Sequence, residues 1–353
     1  MTDRRRPESR PPADRPTTPR GSPPRRWLGL ALAIAVAGPP GLAPAFGDDP
    51  APPVLRPIRR VEDYAPPEEF VEAAGVKTHF VAIGDVAARP IVFIHGFGSS
   101  TFTWRKNLGP IAALGYRAIA IDVRGFGLTA KPRDGRYDLA SFADHLAATL
   151  DALELDRPIL VGNSMGGAIA ARVALTRPDR VAGVVLVDAM PPRLDGGPMA
   201  RPGVAGPPAA TKGASVKLRA ALARAMVTRE IVASGLRRAY RDPANVTDEA
   251  IEAHIRPLFI EGGAEALIAL VDRPAPIADN LPPLSGLKPP ALIVWGRHDR
   301  VIPVAMAASF ARDLPKARVT IFESSGHMPH EEEADAFNAT LAEFAASTLA
   351  PTR

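Results

Sequence analysis

From about residue 68 onward, short unbroken apolar runs alternate with longer stretches whose apolar residues recur every three or four positions. The runs predict buried strands over 78–83, 90–94, 116–121, 158–161, 181–187, 291–295 and 318–322. The periodic stretches predict helices over 141–153, 168–175, 304–314 and 334–349. In the first of these, Phe142, Leu146, Leu150 and Leu153 share one face. Strands that are apolar throughout and separated by helices predict an α/β fold, a mostly parallel sheet with helices on both faces.

The rhythm breaks between residues 191 and 288. A Gly/Pro-rich stretch runs from Pro191 to Pro208, and helical patterns follow over 215–233 and from about Thr247. Leu218, Leu222 and Met226 recur at helical spacing; Ile251, Ile255, Leu258 and Ile260 do so more loosely. Strands then resume. The expected organisation is therefore a helical lid over 191–288, inserted into an α/β core formed by 68–190 and 289–349.

Two segments precede the core. Residues 48–67 read as a Pro-rich linker, and 16 of the 39 prolines fall at or before Pro67. Residues 1–47 read as a basic leader. Within it, Trp27 to Ala37 is an apolar run too short to span a bilayer but suited to a signal-peptide core. Ala43-Pro44-Ala45 and Ala45-Phe46-Gly47 offer small-residue cleavage sites, and Arg25-Arg26 is similar to a twin-arginine signal. The expectation is export to the periplasm or beyond, with no stable membrane span after cleavage. The alternative is an uncleaved leader serving as an anchor.

Composition narrows the chemistry. The chain has no cysteine, so it has no disulfides, no thiolate metal site and no cysteine nucleophile. Its net charge of +5 is the balance of eight arginines and three acids within residues 1–47. The remainder is electrically balanced, which argues against nucleic-acid binding.

The candidate chemistry centres on Gly162-Asn-Ser164-Met-Gly166. A strand runs into it and a helix leaves it, so Ser164 sits at a sharp turn that demands small neighbours. The bland alternative is a serine that merely caps the helix. A serine hydroxyl needs a base, and the base needs an orienting carboxylate. His327, in Ser324-Ser-Gly-His-Met-Pro329, follows the last strand and is favoured over His330. Asp299, in Trp295-Gly-Arg-His-Asp299, follows the strand before, one strand–helix–strand step away; Asp188 is the alternative acid. Backbone N–H groups of Phe97, in His95-Gly-Phe-Gly98, and of Met165 are the candidate oxyanion donors. His95 and His298 read as structural, and Asp122 and Arg124 as pins for the loop over 122–127.

These four segments in this order resemble the α/β-hydrolase superfamily with an inserted cap, over about residues 68–349. The resemblance implies a Ser164–Asp299–His327 triad and an oxyanion hole from Phe97 and Met165. Gly-Asn-Ser-Met-Gly-Gly is similar to the meta-cleavage-product C–C hydrolases and related esterases. Several of the C–C hydrolases carry Trp directly after the catalytic histidine, where this chain has Met328. Haloalkane dehalogenases and epoxide hydrolases of this fold use an aspartate nucleophile, and Ser164 argues against both. The expected activity is a serine hydrolase acting on a small-molecule apolar carboxylic ester, with C–C hydrolysis as the alternative and a non-catalytic ligand-binding role as the rival from another class. No metal or organic cofactor is expected.

Overall fold

The computed structural model describes residues 56–60, 68–191, 215–271 and 281–349. The leader, its apolar run and most of the linker lie outside the described residues.

Eight strands form one sheet. They are β1 (Glu69–Ala73), β2 (Val76–Ile83), β3 (Pro90–Ile94), β4 (Arg117–Ile121), β5 (Ile159–Asn163), β6 (Gly183–Val187), β7 (Ala291–Gly296) and β8 (Arg318–Phe322). Their spatial order is β1-β2-β4-β3-β5-β6-β7-β8. The pairs β1–β2 and β2–β4 are antiparallel; every later pair is parallel. The parallel strands therefore end at one edge, where their C-terminal loops gather.

The central strands are buried on both faces, as their unbroken Val/Ile/Leu runs require. Val92 and Ile94 face one core layer; Ile91 and Phe93 face the other. The first layer is closed by helices α2 (Leu139–Ala152) and α3 (Met165–Thr176), with Phe142, Leu146, Leu150, Ile169 and Val173 turned inward. Asp138 starts α2, its carboxylate accepting the Ser141 N–H at 2.7 Å. The opposite layer is closed by Trp104, by the short helix α1 (Leu108–Ala113), and by Phe337, Leu341 and Phe344. Those three phenylalanine and leucine side chains come from the last helix.

Among the described residues, four α-helices lie between β6 and β7: α4 (Val216–Met226), α5 (Arg229–Ala239), α6 (Asp248–Ile255) and α7 (Gly263–Val271). The helix expected over 215–233 is two helices. Thr228 breaks it, because its hydroxyl accepts the Ile231 N–H at 3.1 Å and caps α5. Ser215 and Thr247 cap α4 and α6 in the same way. Val232, Leu236, Ile251, Ile255 and Phe259 make a separate apolar cluster within this insertion.

Arg59, in the linker, is tied to the insertion. The Arg59 N–H donates to Phe259 O at 2.8 Å, and the Glu261 N–H donates to Arg59 O at 2.7 Å. This strap lies against the insertion rather than against the sheet. After β7 the chain forms α8 (Ala305–Asp313), then β8, a single turn α9 (Pro329–Glu332), and the closing helix α10 (Ala334–Thr348).

Candidate active site

Ser164 stands between β5 and α3 with φ 54° and ψ −118°. A non-glycine residue at positive φ is strained by about 1–3 kcal/mol. The turn is held in that state from both sides. The Ser164 N–H donates to Val187 O at 2.9 Å, and Ser164 O accepts the Met190 N–H at 2.9 Å. The flanking glycines leave no choice of residue. A Cβ on Gly162 would lie 2.2 Å from Gly166 O, and one on Gly166 would lie 2.2 Å from Ile94 O. The serine is at the N-cap of α3, yet its side chain caps nothing. Ser215, Thr228 and Thr247 occupy the same position on their helices and do cap. The Ser164 hydroxyl is thus spared from the role that its position would ordinarily give it.

His327 lies on the loop after β8, buried, with its Nδ1 2.7 Å from Asp299 Oδ2. A carboxylate only accepts, so Nδ1 carries the proton and Nε2 is the basic nitrogen of the neutral ring. Asp299, on the loop after β7, is fixed through its other oxygen by the N–H groups of Val301 and Ile302 at 2.7 and 2.9 Å. Ser164 and His327 line the same cavity, of about 240 Å³.

Of the alternatives, His330 lies away from the cavity and Asp188 lies beside Asp299. His330 is fully buried and stacks on Trp104 with ring centroids 4.1 Å apart. Burial, and then the neighbouring His327, push its pKa well below the ordinary histidine value. It does not line the cavity. Asp188 is beside Asp299: one carboxylate oxygen from each and a ring nitrogen of His327 lie within 4.8 Å of one another. Asp188 Oδ1 accepts the Gly296 N–H at 2.9 Å. Burial, and then the Asp299 charge, raise the Asp188 pKa well above the carboxylate range. It therefore gives up its proton reluctantly beside a carboxylate that is fully hydrogen-bonded.

The loop after β3 lies against the serine. A Cβ on Gly96 would come within 3.2 Å of Ser164 Cβ. Phe97 lines the cavity, its ring edge-on to Phe126 at 5.7 Å. Met165 is the first residue of α3, where a backbone N–H has no partner one turn back. His95 pins this loop to the next one: Nδ1 is 2.7 Å from Gly96 O, and Nε2 accepts the Val123 N–H at 3.0 Å. Asp122 accepts N–H groups of Thr101 and Leu128 and faces His79 Nδ1 at 2.7 Å. Burial alone would raise the Asp122 carboxyl, but His79, then His95 and the Leu128 N–H, hold it well below the usual carboxylate range. Arg124 reaches Arg136 O and Asp134. His298 is exposed.

Several residues of the site were not singled out from sequence. Asn163 Nδ2 donates to His327 O at 3.1 Å and to Val187 O at 3.3 Å, tying the serine strand to the histidine loop. Its signal was a polar residue ending a buried strand. Glu331, Glu332 and Glu333 each hold a different element. Glu331 accepts the Tyr240 hydroxyl at 2.8 Å; Glu332 accepts the Arg241 and Gly326 N–H groups at 2.8 and 2.7 Å; Glu333 accepts the Ser325 hydroxyl at 2.6 Å. The His327 N–H itself donates to Ala239 O, at the end of α5, at 2.7 Å. The insertion supplies the opposite wall of the cavity, including Met226, Val232, Leu236 and Leu267. Arg238 also lines it, and is the one permanently charged side chain among the described lining residues.

Comparison with known proteins bears on what such a site does. The family model of the alpha/beta hydrolase fold matches residues 89–334. A 2-hydroxy-6-oxononadienedioate/2-hydroxy-6-oxononatrienedioate hydrolase of Burkholderia vietnamiensis is 32% identical, over 72% of this chain and 86% of that one. A meta-cleavage product hydrolase from Pseudomonas fluorescens superposes with a TM-score of 0.64 at 26% identity, over 79% of this chain and 97% of that one. An assigned aryl esterase from Burkholderia cenocepacia superposes with a TM-score of 0.61 at 26% identity, over 80% and 99%. The similar proteins thus include both C–C hydrolases and esterases. The sheet order, the strained serine turn and these matches agree: the chain belongs to the α/β-hydrolase family, and it is a hydrolase.

Proposed function

We propose that this protein is a serine hydrolase that cleaves a carboxylic ester through an acyl-enzyme on Ser164. The observation that supports it best is the uncapped, strained serine on the cavity that also holds His327, itself paired to Asp299. His327 Nε2 takes the Ser164 proton as the hydroxyl attacks the acyl carbon. Asp299 keeps the proton on Nδ1 and stabilises the imidazolium. The N–H groups of Phe97 and Met165 receive the oxyanion. The proton returns to the leaving alcohol, and water then releases the acid by the same steps. The helices of the insertion act as a cap over the site, and their apolar wall suits an apolar acyl or alcohol group.

A p-nitrophenyl ester series from acetate to palmitate tests this, with Ser164→Ala beside the natural chain. Turnover should fall by at least about 10⁴-fold in the variant, as expected when a nucleophile is removed. Unchanged turnover would remove the serine from the chemistry.

One observation favours C–C hydrolysis as a second reading. Arg238 places a cation on the cavity wall, and the Burkholderia vietnamiensis relative is named for a dioate, a doubly anionic substrate. Met328 stands where several such enzymes carry Trp. A dienoic ring-fission product, offered beside the esters, separates the readings. Cleavage of that acid faster than any ester, and dependent on Arg238, would decide for the C–C reading.

A further inference from the structure

Two polar side chains on the cavity wall each keep an unused hydrogen-bonding atom. The wall is mostly apolar. Of its polar members, Ser164 and His327 carry the proposed reaction. Asn163 is tied to His327 O and Val187 O, and the Tyr240 hydroxyl is given to Glu331. Arg238 supplies a cation. Ser99, on the loop after β3, and His254, on α6, remain. Ser99 is 8% exposed, and its hydroxyl is buried without a hydrogen-bond partner. A hydroxyl enclosed in that way is destabilising until a bound atom meets it.

His254 says which kind of atom that wall asks for. Its Nδ1 lies 2.8 Å from Ala250 O, one turn earlier in α6. A carbonyl only accepts, so Nδ1 carries the proton and Nε2 is a lone-pair acceptor. Among the described residues Nε2 has no partner. Burial, the chief cause, lowers the pKa of the ring, so the acceptor persists at neutral pH. The occupant of the cavity must therefore bring a donor. A carboxylate has none, and an ammonium would share the cavity with the Arg238 charge. A hydroxyl has one, and it can also pair with a second hydroxyl such as that of Ser99. In an apolar cavity a few placed polar groups set orientation and selectivity.

We propose, resting on the ester reading above, that His254 determines specificity: its Nε2 accepts a hydrogen bond from a hydroxyl group on an otherwise apolar substrate, with the Ser99 hydroxyl as a second contact. The enzyme then takes hydroxylated esters in preference to their plain counterparts.

The test compares phenyl phenylacetate with the isomers that carry one hydroxyl at each position of either ring. Turnover is measured on the natural chain, and binding by calorimetry on full-length Ser164→Ala. At least one isomer should exceed the parent ester by about tenfold or more in kcat/KM, and in affinity for Ser164→Ala, as when a site is built to pair a substrate hydroxyl. Its methyl ether, which accepts but cannot donate, should lose that gain on the natural chain. His254→Leu should bring the ratio of isomer to parent close to one, and His254→Gln, which keeps an acceptor near the place of Nε2, should retain part of it. Ser99→Ala should shrink the preference; an undiminished preference there would remove the second contact. Equal turnover and binding of the parent and every isomer would overturn the proposal. So would a preference that survives methylation or His254→Leu. Absence of turnover on every ester, with the preference kept in binding to Ser164→Ala, would remove the ester reading and leave the hydroxyl site standing.

Discussion

Helices α2 and α4 carry the same signature in sequence and use it in opposite directions. In α2, Phe142, Leu146 and Leu150 recur at helical spacing and point into the core. In α4, Leu218, Leu222 and Met226 do the same and point out. Periodicity reports that a helix is two-faced; it does not report which face meets protein. The deciding factor is the size of the residues on the other side. The inner face of α4 is alanine, which allows the helix to approach α7 closely and leaves its larger side chains outside. The apolar heart of the insertion is therefore not made by Leu218, Leu222 and Met226. That heart is made instead by Val232, Leu236, Ile251, Ile255 and Phe259.

The contrast can be broken by substitution, beginning with the largest effects. Truncating the buried Phe142 to Ala should cost about 3–5 kcal/mol in chemical unfolding, the usual loss for a large core side chain. Acid should act next, and through the body. His145, buried on α2 with Nε2 2.9 Å from Thr78 Oγ1, has its pKa lowered to about 4, chiefly by burial. The unfolded chain therefore takes up this proton first as pH falls below about 6.5. The linked stability loss accumulates down to about pH 4 and amounts to roughly 3 kcal/mol. His95 and His330, also lowered by burial, act in the same direction. His79 acts in the other. Burial opposes its proton, but Asp122 and Glu68 outweigh that and raise its pKa, so its contribution is lost as pH rises. Melting temperatures from pH 7 to pH 4.5 should fall, and His145→Gln should flatten part of the fall.

A smaller effect belongs to the seam between the two regions. Glu332→Ala leaves the N–H groups of Arg241 and Gly326 without their carboxylate and should cost about 1–3 kcal/mol. The same variant should lower kcat more than it raises KM, since it loosens the loop that carries His327. Equal changes in both would show that the seam serves stability alone. At the small end, Leu222→Ser should change the unfolding free energy by no more than about 0.5 kcal/mol, as for any exposed position. A loss comparable to that of Phe142→Ala would mean that α4 packs by its large residues after all.

Much of the body was legible because its strands are short unbroken apolar runs. The expected 90–94 and 318–322 coincide with β3 and β8. Edge strand β1, Glu69–Ala73, was missed: it places Glu69 and Glu72 on an open edge and forms no apolar run. Helix α1 was missed because Gly109 and Pro110 in its first turn read as breakers, though Pro is tolerated there. Ser164, Asp299 and His327 could be found because each ends or follows a strand within a short motif. Asn163 and the three glutamates after His330 could not. Asn163 meets the main chain 164 residues later, and Glu331 meets Tyr240 from 91 residues away. No local pattern records such pairings.

The hydrogen bond from the His327 N–H to Ala239 O has a consequence for anyone redesigning the protein. A region that shapes specificity is usually regarded as an exchangeable part, to be replaced from a relative while the chemistry stays in place. Here the loop bearing the imidazole is stitched to the end of α5, and Gly326 leaves no room for a side chain between them: a Cβ there would lie 2.5 Å from Ala239 O. Transplanting the helices alone would remove a wall from the histidine's own mounting. A working chimera must carry Tyr240 to Asp242 and Gly326 to Glu333 together, as one cassette made of two distant pieces of chain.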